Sequence, residues 1–389
     1  MRQSVRSALF AFAVAAILLS GCAPAPTPAP TSPSPAATPA PTSAAAAPSS
    51  TDAPLADRID AALSNLAEQG SLSGSVLIAR DGQVLLSRGY GLANRDANLP
   101  NTPATKFHLG SLTKQFTAAA ILLLQQRGKL DVQDLICKYI EDCPQAWQPV
   151  TIHQLLIHTS GIHEINDTAG LQELVMHPAT PIQLIAQFRD LPLDFPAGEK
   201  YSFSNSGYIL LGYIIEKVSG QPYATFVKET IFDPLRMQGS GYDDAQNAGQ
   251  DHAVGYKDAV TPAMHVDNSV NYASAGLYST VEDLLLWDRA LYTDELMPAA
   301  LRAEMFTPFV PIPSTTLSSG YGWSIGRQFG QPWVYYSSGG PGFTNIIHRF
   351  PDSRVTIIIL TNRQGTNLAG LNALIAPMIF GGAWVSPTN

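Results

Sequence analysis

The sequence predicts an α+β fold: an antiparallel sheet built from the N- and C-terminal strands, flanked by helices, with a helical lobe between them. Three observations lead there. Strand-like apolar runs fall at residues 74–79 and 84–87, and then not again until 321–325, 333–336, 344–350 and 355–360. Asp81-Gly82 and Pro351-Asp352-Ser353 join neighbouring runs with the turn residues of hairpins, which make antiparallel pairs. The long middle instead carries helical patterns closed by glycines, at Gly128, Gly161 and Gly220.

The chain divides into three parts. Arg2 and Arg6 precede an apolar run from Ala8 to Leu19, which ends in Leu19-Ser20-Gly21-Cys22. A charged start, a short apolar core and a small-residue end make residues 1–21 a secretory signal peptide. The run is too short for a comfortable membrane span. Its ending resembles the lipobox of bacterial lipoproteins, which implies that Cys22 is lipidated and becomes the mature N-terminus; the alternative is a simple secreted protein. Residues 22–54 are almost entirely Ala, Pro, Thr and Ser, with nothing to bury, and read as an extended tether. Residues 55–389 are long enough for a large core. The expected location is the bacterial cell envelope, held to a membrane through the lipid.

Within that part, residues 57–69 form a short amphipathic helix ahead of the first hairpin. Gln115 to Leu124 reads as a buried helix, Ala- and Leu-rich with no Gly or Pro before Gly128. Residues 151–161 are predicted as one helix stopped by Gly161, residues 204–219 as another stopped by Gly220, and 280–291 as a third. Residues 369–380 form a closing helix. The helix after Ser111 would lie between sheet and helical lobe, and a cleft between lobes is where a ligand site is expected.

Composition narrows the function. Charged residues are 14% of the chain, the net charge is -8 and no basic stripe appears, which argues against a nucleic-acid partner. Cys137 and Cys143 lie in one short stretch. In an exported protein they predict a disulfide; a metal pair is the alternative, although no His or third Cys is near in sequence. No cofactor is expected.

Gly110-Ser111-Leu112-Thr113-Lys114 opens the buried helix. Ser111 and Lys114, three residues apart, share one helix face. A serine hydroxyl needs a base to become a nucleophile, and a lysine that has lost its charge can serve. The helix N-terminus adds free N–H groups suited to an oxyanion. Taken alone, S-x-x-K marks no more than a helix start with a solvated lysine.

Further stretches change that reading: His158-Thr159-Ser160-Gly161; Pro196 to Gly212 with Tyr201-Ser202-Phe203-Ser204-Asn205 inside it; Asn271-Tyr272-Ala273-Ser274-Ala275-Gly276; and Ser337-Ser338-Gly339-Gly340-Pro341-Gly342-Phe343. With Ser111 and Lys114 they resemble the serine β-lactamase and penicillin-binding-protein superfamily, in the family's order. The resemblance spans residues 76–361. The branch most like it holds class C β-lactamases, D-aminopeptidases, low-molecular-weight penicillin-binding proteins and related esterases. It implies an acyl-enzyme mechanism, with Ser111 attacking a carbonyl, Lys114 taking or relaying its proton, and Asn205 holding the lysine and the substrate.

Two departures stand out. The family's Tyr-x-Asn motif places its tyrosine on Phe203, with Tyr201 two residues early. The strand motif of a Lys or His, then Thr or Ser, then Gly has no cation here. Aligned without a gap from Pro341-Gly342-Phe343, the cation position is Tyr336; with one deletion it is Ser337. Ser338 and the amides of Gly339 or Gly340 remain available for substrate and oxyanion. Phe203, Tyr201 and Tyr336 are the candidate cleft walls, with core tyrosines as the alternative for Tyr201, Tyr272 and Tyr336. The expectation is a serine hydrolase acting on an ester, an amide or a small peptide, rather than an efficient β-lactamase. The alternative is a non-catalytic domain that binds a cell-wall peptide or a protein.

Two competing signals are weaker. Gly322-Trp323-Ser324-Ile325-Gly326 matches the G-x-S-x-G nucleophile elbow, but a loop follows where a helix is needed. His153, His158 and His163-Glu164 invite a metal, but H-E-x-x-H is absent and a structural role for His158 is preferred.

Overall fold

The computed structural model describes residues 52–243 and 251–387. The expected signal peptide, Cys22 and most of the tether lie outside the described residues. The principal elements begin with helix α1 (Asp52–Glu68) and the hairpin of β1 (Gly74–Arg80) and β2 (Gln83–Tyr90). Helices α2 (Thr113–Gln126), α3 (Ile152–Leu156), α4 (Leu171–Leu174), α5 (Asn205–Ser219) and α6 (Val281–Ala290) follow. The chain returns as β3 (Val310–Pro311), β4 (Ser318–Ser319), β5 (Ser324–Gln328), β6 (Gln331–Gly340), β7 (Phe343–Phe350) and β8 (Val355–Thr361), then ends in α7 (Leu368–Phe380).

These strands form one eight-stranded antiparallel sheet in the order β2-β1-β8-β7-β6-β5-β4-β3. The first hairpin meets the last strand near one edge of the sheet, where β1, second in that order, pairs with β8, third, from Gly74↔Thr361 to Arg80↔Val355. Side chains alternate across the sheet. Val76, Ile78, Ile357 and Ile359 pack on one face with Ile59 and Leu63 of α1 and with Leu371 and Ile375 of α7. Leu77, Ile358 and Leu360 belong to the core on the other face, with α2. Strands covered on both faces carry unbroken apolar runs, which is why residues 355–360 read so clearly.

Strands β2 and β6 run beyond the expected 84–87 and 333–336, and three further boundaries differ from expectation. Helix α1 starts at Asp52, inside the stretch assigned to the tether; Pro54 fits because it falls in the first helical turn. The helix expected over residues 151–161 stops after Leu156. Thr151 and Gln154 form its capping box, but His158 takes a left-handed backbone, φ +62°. Gly161 also marks a turn, at φ +73°, where a Cβ would lie 2.0 Å from the Phe195 carbonyl oxygen. Finally, β5 begins at Ser324 rather than Tyr321. Gly322 (φ +75°) lies against α2, where a Cβ would come within 2.7 Å of the Lys114 carbonyl oxygen.

Cys137 and Cys143 are joined in a disulfide, so the pair is not a metal pair. Strand β6 outruns β5: the last residue paired on that side is Tyr335, opposite Ser324. Residues 336–340 pair with β7 alone. The Ser338 hydroxyl donates to the Leu109 carbonyl (2.6 Å) and fastens this strand end to the entrance of α2.

Candidate active site

The chain enters α2 through a 3-10 turn, Gly110–Leu112, with Gly110 at φ +56°. This puts Ser111 one turn ahead of Lys114 on the same face. Lys114 is fully buried (0% exposed), on a helix whose neighbours Phe116, Ala118 and Ala119 are core residues. Its Nζ lies 3.1 Å from Ser111 Oγ, 2.8 Å from Asn205 Oδ1 and 3.0 Å from the Ser274 carbonyl oxygen. Burial pulls its pKa down to about 7, against the raising effect of the Glu164 charge.

Asn205 is brought there as the first residue of α5. Ser204 caps that helix by accepting from the Gly207 N–H (3.1 Å), and Gly220 closes it in the left-handed conformation. Glu164 fixes the asparagine. Its carboxylate accepts from the Asn205 backbone N–H (2.6 Å) and side-chain Nδ2 (2.7 Å), and at longer range from the Ser206 N–H (3.5 Å). A carboxylate at a helix N-terminus is favourably placed. Because Nδ2 faces Glu164, Oδ1 must face Lys114.

His158 has the structural role expected. Its Nδ1 accepts from the Ser204 N–H (3.1 Å), and its carbonyl accepts from the Ser202 N–H (2.9 Å). Burial and the neighbouring Lys114 charge push its pKa down to about 3, which suits an imidazole that accepts. Phe203 stacks on it, with centroids 5.0 Å apart and planes at 30°. His153 pairs with the Tyr321 hydroxyl (2.7 Å) and His163 with Asp194 (2.7 Å), so the three histidines go to separate partners.

The candidate residues divide between two cavities. Ser111, Asn205, Ser338, Gly339 and Gly340 line a cleft of about 600 Å³. No atom lies within 4 Å of a Cβ placed on Gly339 or Gly340, so these positions border open space. Tyr201, Phe203, Tyr336 and Ser337 line a smaller cavity of about 190 Å³, with Ser324. Phe203 is 41% exposed, and its ring centroid is 4.8 Å from Lys114 Nζ, although it does not line the cleft of Ser111. Tyr336 shares a strand face with Ser338 but lies two residues earlier, about 7 Å along the strand. Burial raises its pKa well above the usual value, so its phenol stays protonated. Burial also raises Tyr201, to about 12. Tyr272 is a core residue, against Tyr223 at 5.3 Å and outside both cavities. Ser324 opens a strand that turns into β6 rather than a helix, so the nucleophile elbow is not formed.

Two participants were not legible as such. Glu164 was visible only as half of a metal-like His-Glu pair. Ser274 contributes a main-chain carbonyl, which no residue type announces.

Comparison with known proteins gives the family and the fold. A profile of the family described as Beta-lactamase matches residues 57–376. A Bacillus subtilis (strain 168) protein, "Putative penicillin-binding protein PbpX", is 33% identical over 310 residues, covering 78% of this chain and 74% of that protein. The penicillin-binding protein from Bacillus halodurans superposes with a TM-score of 0.73 at 28% identity, over 80% of this chain and 98% of that one. The octameric penicillin-binding protein homologue from Pyrococcus abyssi gives 0.73 at 29% identity, over 84% and 78%.

Proposed function

The chain belongs to the Beta-lactamase family, and on that premise we propose that it is an exported, lipid-anchored serine hydrolase working through an acyl-Ser111 intermediate on an ester, an amide or a small peptide. The supporting observation is the set of partners around Lys114 Nζ. Asn205 Oδ1 and the Ser274 carbonyl can only accept, so they take two N–H bonds. A deprotonated amine has two N–H bonds and one lone pair, and the third direction is Ser111 Oγ. The lone pair is thus aimed at the one neighbour with a proton to give.

In the reaction, Ser111 Oγ–H passes its proton to Nζ while Oγ bonds to the substrate carbonyl carbon. The oxyanion is met by the Ser111 N–H and by one amide of the free β6 edge. Alternate amides of a strand face one edge, so either Gly339 or Gly340 serves, not both. The Lys114 ammonium returns the proton to the leaving group. Water then cleaves the acyl-serine by the same steps in reverse. With a ring at Phe203 and no cation on β6, Lys114 handles the proton without help from a phenol, which favours esterase- or peptidase-like work over β-lactam turnover. The rival, a non-catalytic domain binding a cell-wall peptide or a protein, draws on those same two departures.

Intact-mass measurement after exposure to p-nitrophenyl acetate or a fluorescent penicillin separates them. An adduct mapped to Ser111, and lost in Ser111→Ala, is the expected result; no adduct with either reagent would favour the binding domain. For the anchor, Cys22→Ala should release the protein from detergent-extractable membrane, and undiminished membrane attachment would refute lipidation.

A further inference from the structure

The notch where β6 outruns β5 holds the cavity of about 190 Å³, which the proposed chemistry leaves unused. Tyr201, Phe203, Trp323, Tyr335 and Tyr336 give it aromatic walls, and Ser324 and Ser337 add hydroxyls. Among the described residues, none hydrogen-bonds the Tyr201, Tyr335 or Tyr336 hydroxyl, although Tyr336 is only 9% exposed. Trp323 is 1% exposed, and its Nε1 also lacks an acceptor. Buried tyrosines outside the cavity are partnered: the Tyr208 hydroxyl donates to the Leu156 carbonyl (2.9 Å), and Tyr321 pairs with His153. Buried polar groups are rarely left unpaired, so four such atoms on one cavity call for a ligand that can pair with them. Burial raises Tyr201 and Tyr335 to about 12, which keeps each phenol protonated, able both to donate and to accept. The phenols lie near one another: an ionised Tyr335 would oppose ionisation of Tyr201, and Tyr336 feels both.

We propose that this notch is a carbohydrate subsite that binds one uncharged pyranose ring. Among the described residues, no Lys, Arg, Asp or Glu lines it, so an anion would lose water without meeting a counter-charge. A cation would meet the Lys114 charge, because Nζ lies 4.8 Å from the Phe203 ring centroid. A purely apolar ligand would leave the phenols and the Trp323 N–H unpaired. A pyranose avoids all three penalties: it is neutral, its hydroxyls both donate and accept, and its C–H face can lie on the exposed Phe203 ring. The inference names a ligand for a second site and holds whether or not Ser111 reacts.

The test is a titration followed by saturation-transfer NMR, with methyl β-D-glucopyranoside and methyl N-acetyl-β-D-glucosaminide as probes. Cyclohexanol, with one hydroxyl, and methyl β-D-glucuronide, with a carboxylate, are the controls. At least one pyranoside should bind saturably, and each control should bind about tenfold more weakly or worse. Tyr336→Phe removes an unpartnered hydroxyl and keeps the ring, so thermal stability should hold while pyranoside binding weakens about fivefold. Ser111→Ala should bind the pyranoside as the parent does, since the notch is apart from the nucleophile's cleft. If neither pyranoside binds saturably, water alone satisfies the phenols and the inference falls. Equal binding of cyclohexanol would make the cavity merely apolar, and tighter binding of the glucuronide would make it an anion site; either overturns the proposal. Undiminished binding in both Tyr336→Phe and Tyr201→Phe, or its loss in Ser111→Ala, would place the sugar elsewhere and overturn it too.

Discussion

On one side of Ser111, Lys114, Asn205 and Glu164 form a chain of hydrogen bonds in which each polar atom has a partner and each partner fixes the next. On the other, Phe203, Tyr201 and Tyr336 present rings around a small cavity, and the exposed Ser337 stands at one of the two positions where the resemblance implies a cation. In the first region the amine is fully buried and desolvation pulls its pKa down. In the second, burial holds the phenols protonated, Phe203 offers no proton, and β6 carries no cation. On the proposed reading, proton handling is concentrated in one amine. The chemistry should therefore follow the protonation of Lys114 and respond little to the phenols nearby.

The largest effect should come from breaking the first region. Lys114→Ala removes the base, and a positioned base contributes roughly 10²- to 10⁴-fold. Ester hydrolysis should fall by that much while the fold, followed by circular dichroism, persists. A loss below tenfold would move the proton to another group.

Phe203→Tyr sharpens the contrast from the second region. The ring already lies against Lys114 and His158, so a phenol adds only one hydroxyl there. Acylation of Ser111 by a chromogenic cephalosporin or an anilide should rise about tenfold or more, since a second acid can then protonate the leaving nitrogen. Activated esters, whose leaving groups need little protonation, should change less. Stopped-flow rates for both substrate types decide it. An equal gain for both would point to repacking instead of proton transfer.

A smaller effect is expected from Glu164→Gln. The carboxylate raises the Lys114 pKa and holds the Asn205 amide, so its loss should lower that pKa. Activity requires the neutral amine, so a lower pKa moves the acid limb of the kcat/KM profile to lower pH. The plateau should fall severalfold because Asn205 is less firmly oriented. A limb that shifts upward would contradict the assigned influence of Glu164.

Much of this was readable in the sequence where local rules govern. The β8 run announced a strand buried on both faces. Ser204 and Gly220 bracketed α5 because capping is a short-range affair. Ser111 and Lys114 meet because helical spacing makes them meet. What could not be read was set by tertiary contact. The end of α3 depends on His158 turning left-handed to sit under Phe203 and Tyr208, which lie beyond residue 200. Glu164 finds its role only through a bond to a residue 41 positions away. Tyr201 and Tyr336 were wall candidates in the sequence, and only the folded chain gathers them on a cavity apart from that of Ser111.

The central claim is that neutral Lys114 takes the proton from Ser111. It is met most directly by the pH dependence of Ser111 acylation, followed by quench-flow and intact-mass detection with p-nitrophenyl acetate between pH 5 and 9. With the amine titrating at about 7, the acylation rate should climb as pH rises and level off above that point, with all added mass on Ser111. A rate independent of pH across this range, or an adduct on another residue, would contradict it.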